Sequence, residues 1–292
     1  MIMARRGFSP TRAIVSALIA LVFLIVIVIL AIFAVAYFAY DINLVDAIGY
    51  VRILNDDVDT NKLIKNAYTE TDLAEARATI EGITVFDTEV SFTDRQMAAY
   101  INDDILNDAD KKVNIIGHEY LLKDIVSISQ VKFSDIPATE VEGFGELVTI
   151  NIVAKLDISD IKEDSFSSFP MNLLRRFIPD EIYISSTTKL LNYDPDNNEK
   201  DYSVQSVDMG INNLDTHDVE DIIDMVDNFA DIGTPEELNE KLASIFVNAL
   251  IGDSENPGVA YELMEKGATG YSFTTDGTNN YFTIEKEAVV LP

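Results

Sequence analysis

The sequence predicts an α+β fold standing on a membrane anchor: an N-terminal transmembrane helix, a helical neck, and a curved antiparallel sheet packed on one amphipathic helix. A helical pair and a hairpin complete the chain. Three stretches carry this. In "ELVTINIVAKLDIS", Val148, Ile150, Ile152, Ala154, Leu156 and Ile158 alternate with Thr149, Asn151, Lys155 and Asp157. That is the pattern of an antiparallel strand with one dry and one wet face. At "SFTDRQMAAYIND" a strand enters a helix through a capping box, Thr93 with Gln96, and a hydrophobic staple, Phe92 with Met97. After residue 215 the apolar period changes to that of helices, with Val219, Ile222, Ile223, Val226 and Phe229 in one run.

Residues 1–12 form a short cytoplasmic N-terminus, and residues 13–40 are 28 uncharged positions dense in Ile, Val, Leu and Ala. A hydrocarbon core of ~30 Å needs about 20 helical residues, so this run spans it. Arg5, Arg6 and Arg12 precede it, and Asp41 and Asp46 follow. The positive-inside rule then places the rest of the chain outside the cell membrane, as a single-pass protein. A cleavable signal peptide ending at Ala34-Val35-Ala36 is the competing reading, against which the apolar run is longer than the usual ~7–15 residues.

Residues 41–81 read as a helical neck. Leu44, Ile48 and Val51 fall at helical spacing, "NDDVDTN" is a polar break, and a second helix starts in "TETDLAEARATI" with Thr71 as its cap. The extracytoplasmic α+β domain is residues 82–292. It opens with a strand in "GITVFDTEVSF", followed by a helix of about fourteen residues whose stripe is Met97, Ile101 and Ile105 beside Ala98. In "VSISQVKFSDI" the apolar phase slips near Gln130, which predicts a bulge. "EIYISSTTKLLNY" and "DYSVQSVDMGIN" flank a polar tip and predict a hairpin. A helix opening at "TPEEL" follows, and the last hairpin turns at Asp276-Gly277.

All 50 acidic residues and 18 of the 21 basic ones follow Tyr40, a formal net charge of −32 on the outer part. Such a surface repels nucleic acid, which is excluded as a partner. The chain has no cysteine, hence no disulfides and no thiol chemistry, which fits a bacterial envelope better than an oxidising eukaryotic lumen.

No catalytic signature stands. Ser186-Thr187-Thr188-Lys189 matches the S-x-x-K of serine acyl enzymes but lies in a strand rather than at a helix start. "DPDNNEKD" lacks the glycine and glutamate of a calcium loop. Neither His118 nor His217 stands three or four residues from a second strong ligand in a known metal pattern, and the Asp218–Asp227 ladder reads as a solvated helix face. The expectation is a protein with no catalytic residues, no metal and no cofactor.

One segment stands apart. In "FSSFPMNLLRRFIPDEIY", Arg175 and Arg176 sit among Phe169, Leu173, Leu174 and Phe177 in an acidic chain. These six are the candidate membrane contacts, because basic and bulky apolar side chains together suit an anionic bilayer surface. The other reading pairs the two arginines with Asp180 and Glu181.

An anchor, a strand entering the "FTDRQMAAYIND" helix and long strands including "IPDEIYISSTTKLL" resemble membrane-anchored envelope proteins of the tubular lipid-binding (TULIP, SMP-like) type of Gram-positive bacteria. The resemblance covers residues 83–212. It implies a sheet wrapped on a helix around an apolar groove, lined here by Met97, Ile101, Ile105, Ile150, Ile152 and Leu156. From the residues alone, the same six side chains equally fill a closed core. The functional expectation is a membrane-tethered binding module for lipid or another amphiphile. The alternative is an envelope scaffold or assembly factor that binds another protein.

Overall fold

A computed structural model of the chain describes residues 49, 52–84, 86–106, 112–115, 118–136, 147–165, 179–192, 202–221, 250 and 268–286. The predicted anchor, the arginine segment and nearly all of the C-terminal helical pair lie outside them. Among the described residues no helix is long and apolar enough to cross a membrane.

The described part is α+β. Its nine strands make three antiparallel sheets: β1 (Glu89–Thr93), β9 (Asn280–Lys286) and β8 (Ala268–Thr275) in the order β1-β9-β8, a β2–β3 pair (Lys112–Ile115, His118–Leu121), and a four-stranded meander. The meander runs β4 (Val126–Ser134), β5 (Leu147–Asp157), β6 (Glu181–Asn192), β7 (Tyr202–Ile211). The helices between and before them are α1 (Thr60–Leu63), α2 (Glu70–Gly82), α3 (Asp94–Tyr100), α4 (Leu122–Ile125) and α5 (Ser159–Ser165).

The neck begins differently from its sequence expectation. The cap of α2 is Thr69, not Thr71: the Thr69 Oγ1 accepts the Asp72 N–H, and Asp72 closes the box on the Thr69 N–H at 2.7 Å. Thr69-x-x-Asp72 therefore starts the helix two residues earlier. Likewise the strand is only Glu89–Thr93, because Thr84 and Asp87 are drawn together before it, Asp87 Oδ2 accepting the Thr84 N–H.

The junction that follows keeps its predicted form. Thr93 and Gln96 make the reciprocal box at 3.2 and 2.9 Å, and the staple residues Phe92 and Met97 are both fully buried. The helix then changes character. After α3 the chain widens into a π-helix, Ile101–Leu106. Within it, Asn102 turns its Nδ2 back to the Ala98 carbonyl at 2.9 Å and forward to the Ile128 carbonyl at 2.7 Å. Its Oδ1 accepts the Ile128 N–H at 2.9 Å. One carboxamide thus occupies both backbone polar groups of Ile128 at the edge of β4, in place of a neighbouring strand.

The bulge predicted near Gln130 is present, as a register shift between Ile128 and Gln130. It sends Val131 and Phe133 to the same face as Ile150 and Ile152 and turns Gln130 to the other. The dry face of β5 is as expected, but the wet face is partly covered, with Val153 and Thr149 buried. The final hairpin turns at Asp276-Gly277, where Gly277 has φ +84, a conformation open to glycine without strain. Phe273 meets Phe133 edge-on at 5.1 Å and Phe282 at 5.4 Å, and Asn280 Nδ2 donates to the Phe133 carbonyl at 2.8 Å. These contacts join the hairpin sheet to the meander.

Candidate functional site

The meander has two ends. At one, Val126, Leu156 and Ile182 lie side by side, and Ile211 of β7 pairs with Ile184. At the other, Ser134, Thr149 and Lys189 are neighbours and the β8–β9 hairpin is attached. We call them the neck end and the hairpin end.

The neck end takes its name from a set of asparagines. Asn212, with a φ of +53, donates its N–H to the Tyr183 carbonyl and accepts the Tyr183 N–H on Oδ1, both at 2.7 Å. Its Nδ2 then donates to the Leu54 carbonyl at 2.8 Å, and Asn213 Nδ2 donates to the Asp56 carbonyl at 2.9 Å. The carbonyls that end the short helical turn at residues 52–55 are capped by the sheet. Further on, the N–H groups of Lys65 and Asn66 both donate to Gln130 Oε1, at 2.7 and 2.8 Å. Gln130 is 2% exposed and is steadied by Asn151, which bonds Thr187 in turn. The neck is clipped along one face of the meander at two points.

Five of the six expected groove residues have described side chains. Met97 and Leu156 are fully buried, and Ile101, Ile150 and Ile152 are 2–3% exposed. Ile105 has only its backbone described, in the π-helical run. The helix packs along β4, whose Val131 and Phe133 stand opposite Ile152 and Ile150 of β5. The sheet therefore brings Ile150, Ile152 and Leu156 together on one face, with Met97 and Ile101 on the helix beside it.

A cavity of about 220 Å³ lies elsewhere, at the neck end, lined by Glu119, Tyr120, Leu121, Asp124, Ile125, Asp157, Ser159 and Asp160. It is polar and acidic, unlike an acyl-chain groove. Beside it, the Tyr120 hydroxyl donates to Asp164 Oδ2 at 2.9 Å, and His118 Nδ1 stands 3.8 Å from the same oxygen. Among the described residues no three His, Cys, Asp or Glu side chains gather at metal-binding distance. Ser186 is buried at the middle of β6 while Lys189 is exposed, so the two ends of the S-x-x-K match point to opposite faces.

Phe169, Leu173, Leu174, Arg175, Arg176 and Phe177 lie outside the described residues. Their flanks do not. α5 follows the neck end of β5, and the Asp180 carbonyl just before β6 accepts the Ile158 N–H at 2.9 Å, so Ser159 and Asp180 both lie at the neck end. Asp180 and Glu181, the acids nearest the arginine pair in sequence, each hold a lysine: Lys162 at 2.5 Å and Lys155 at 2.6 Å.

Of the three amides that organise this site, sequence reasoning read Gln130 only as the place of a bulge and passed over Asn102 and Asn212. Asn102, Gln130 and Asn212 each sit where an apolar period breaks, which marks the position but not its partner. No family model, no curated protein and no solved structure matches the chain.

Proposed function

We propose that this chain is a membrane-tethered, extracytoplasmic module that works by binding rather than by catalysis, and that what it binds is another protein at the cell envelope. The observation that carries this reading is the burial of Met97, Ile101, Ile150, Ile152 and Leu156 to between 0 and 3% exposure. Side chains this closely covered are packed against protein, as in an ordinary core. Recognition then belongs to the outer surface, and a chain of net charge −29 favours a partner with a basic face. The tether comes from the 28 uncharged residues before Asp41.

Lipid or another amphiphile held between α3 and the sheet is the rival occupant, and one experiment separates the two. The full chain is extracted in mild detergent and weighed by native mass spectrometry, with detergent removed by collision. The proposal expects the mass of the bare polypeptide. A stoichiometric adduct of lipid mass that survives detergent stripping favours the groove and removes the present reading.

A further inference from the structure

We infer that the turn carrying Phe86 is a membrane-docking element, which sets the module with its neck end on the bilayer and its β8–β9 hairpin facing away. The inference rests on the tether proposed above and adds an orientation and a contact residue to it.

Phe86 is the observation that starts the argument. Among the described residues it is the one large apolar side chain that is mostly exposed, at 64%. It is held there. Asp87 Oδ2 accepts the Thr84 N–H at 2.7 Å and the Thr84 hydroxyl at 2.8 Å, and Thr84 Oγ1 accepts the Phe86 N–H at 3.2 Å. A turn closed by three such bonds presents its side chain with little ordering left to do on contact.

The chain path places this turn. Asp94, at the start of α3, accepts the Phe133 N–H near the hairpin end, and Asn102 meets Ile128 towards the neck end. So α3 runs from the hairpin end to the neck end. α2 runs alongside in the same sense, since Asp72 pairs with Arg95 at 3.2 Å and Arg77 pairs with Asp103 through both carboxylate oxygens. Gly82 is the last residue of α2, one turn beyond Arg77, and Phe86 follows it. Phe86 therefore lies towards the neck end.

The neck end is also where the tether arrives. Arg52 lies twelve positions after Tyr40, a reach of about 43 Å fully extended and about 18 Å as helix. Asn212 and Asn213 hold the chain against the sheet immediately afterwards, at Leu54 and Asp56. A short lead clipped to one end of the sheet turns that end to the surface from which the lead comes. Phe side chains at such a surface settle ~5–10 Å into the headgroup boundary. Glu81, Asp87 and Glu89 flank the turn, so the lipid surface it suits is zwitterionic rather than anionic.

The chain lacks tryptophan, which allows a direct test. Phe86→Trp supplies a single reporter at the turn, and Thr278→Trp supplies one at the hairpin tip. Each full-length variant is reconstituted in phosphatidylcholine vesicles, with and without lipids brominated on the acyl chain. The expected result is a blue-shifted emission from the turn reporter, quenched at least about twofold more than that of the hairpin reporter, as depth-dependent burial requires. Protein that floats with vesicles yet leaves the turn reporter unquenched, or quenched no more than the hairpin reporter, overturns the inference while the tether stands. Protein that fails to float with vesicles overturns the tether and the orientation together.

Discussion

Asn102 is the residue on which α3 and the sheet depend together. Its carboxamide satisfies the N–H and the carbonyl of Ile128, itself 4% exposed, from within the π-helical run Ile101–Leu106. Asn102→Ala leaves two buried backbone groups without those partners, at ~1–3 kcal/mol each. We expect a loss of about 2–4 kcal/mol in urea unfolding, against ~1 kcal/mol for Thr93→Ala, which removes only a cap. Equal losses would mean that the edge of β4 is satisfied some other way. Asp276 offers a residue-scale test of the hairpin. The N–H groups of Asn279 and Thr278 and the Tyr281 hydroxyl all donate to its carboxylate and hold its pKa down to about 2. A depressed carboxylate stabilises the fold above its unfolded value of ~3.9, and that contribution disappears as pH falls towards about 2. The Asp276 side-chain resonance should therefore titrate near about 2, and the Thr278 and Asn279 amides should lose protection over the same interval. A midpoint at the unfolded value of ~3.9 would show that the turn bonds are absent in solution.

At the scale of elements, the neck is the part whose behaviour is least like a free linker. The Asn213 carboxamide reaches across to the carbonyls of Ile53, Asp56 and Asp57, at 3.4, 2.9 and 3.5 Å. Asn213→Ala removes that clip, and loss of roughly 1–1.5 kcal/mol should speed hydrogen exchange of the Asp56 amide about tenfold while the β5 and β6 amides stay protected. Unchanged exchange would show that the clip does not hold. The same scale shows what was readable in the sequence. The β5 alternation, the bulge at Gln130, the Thr93 box and the Asp276-Gly277 turn are local patterns, set by residues within one turn or one pleat. What went unread is long-range: Asn102 and Ile128 are 26 positions apart, and Asn212 and Leu54 are 158 apart. The Thr71 cap was a local error, since Thr69-x-x-Asp72 and Thr71-x-x-Ala74 compete in one stretch and only the first supplies a carboxylate.

For the whole molecule, the central claim is that the interior between α3 and the meander is closed, so that binding takes place on the outside of a tethered, strongly acidic domain. The apolar pattern could not decide this, because a stripe such as Met97 and Ile101 is written the same way for a core and for a groove. Burial supports the closed reading: Ile152, at 3% exposure, stands opposite Val131. The most direct test is to enlarge it. In a closed core Ile152→Phe forces neighbours off their rotamers and costs ~1–3 kcal/mol. We expect the unfolding free energy of the full chain in detergent to fall by that amount. A variant as stable as the parent would contradict the claim, since spare room at Ile152 means a groove with space for an occupant.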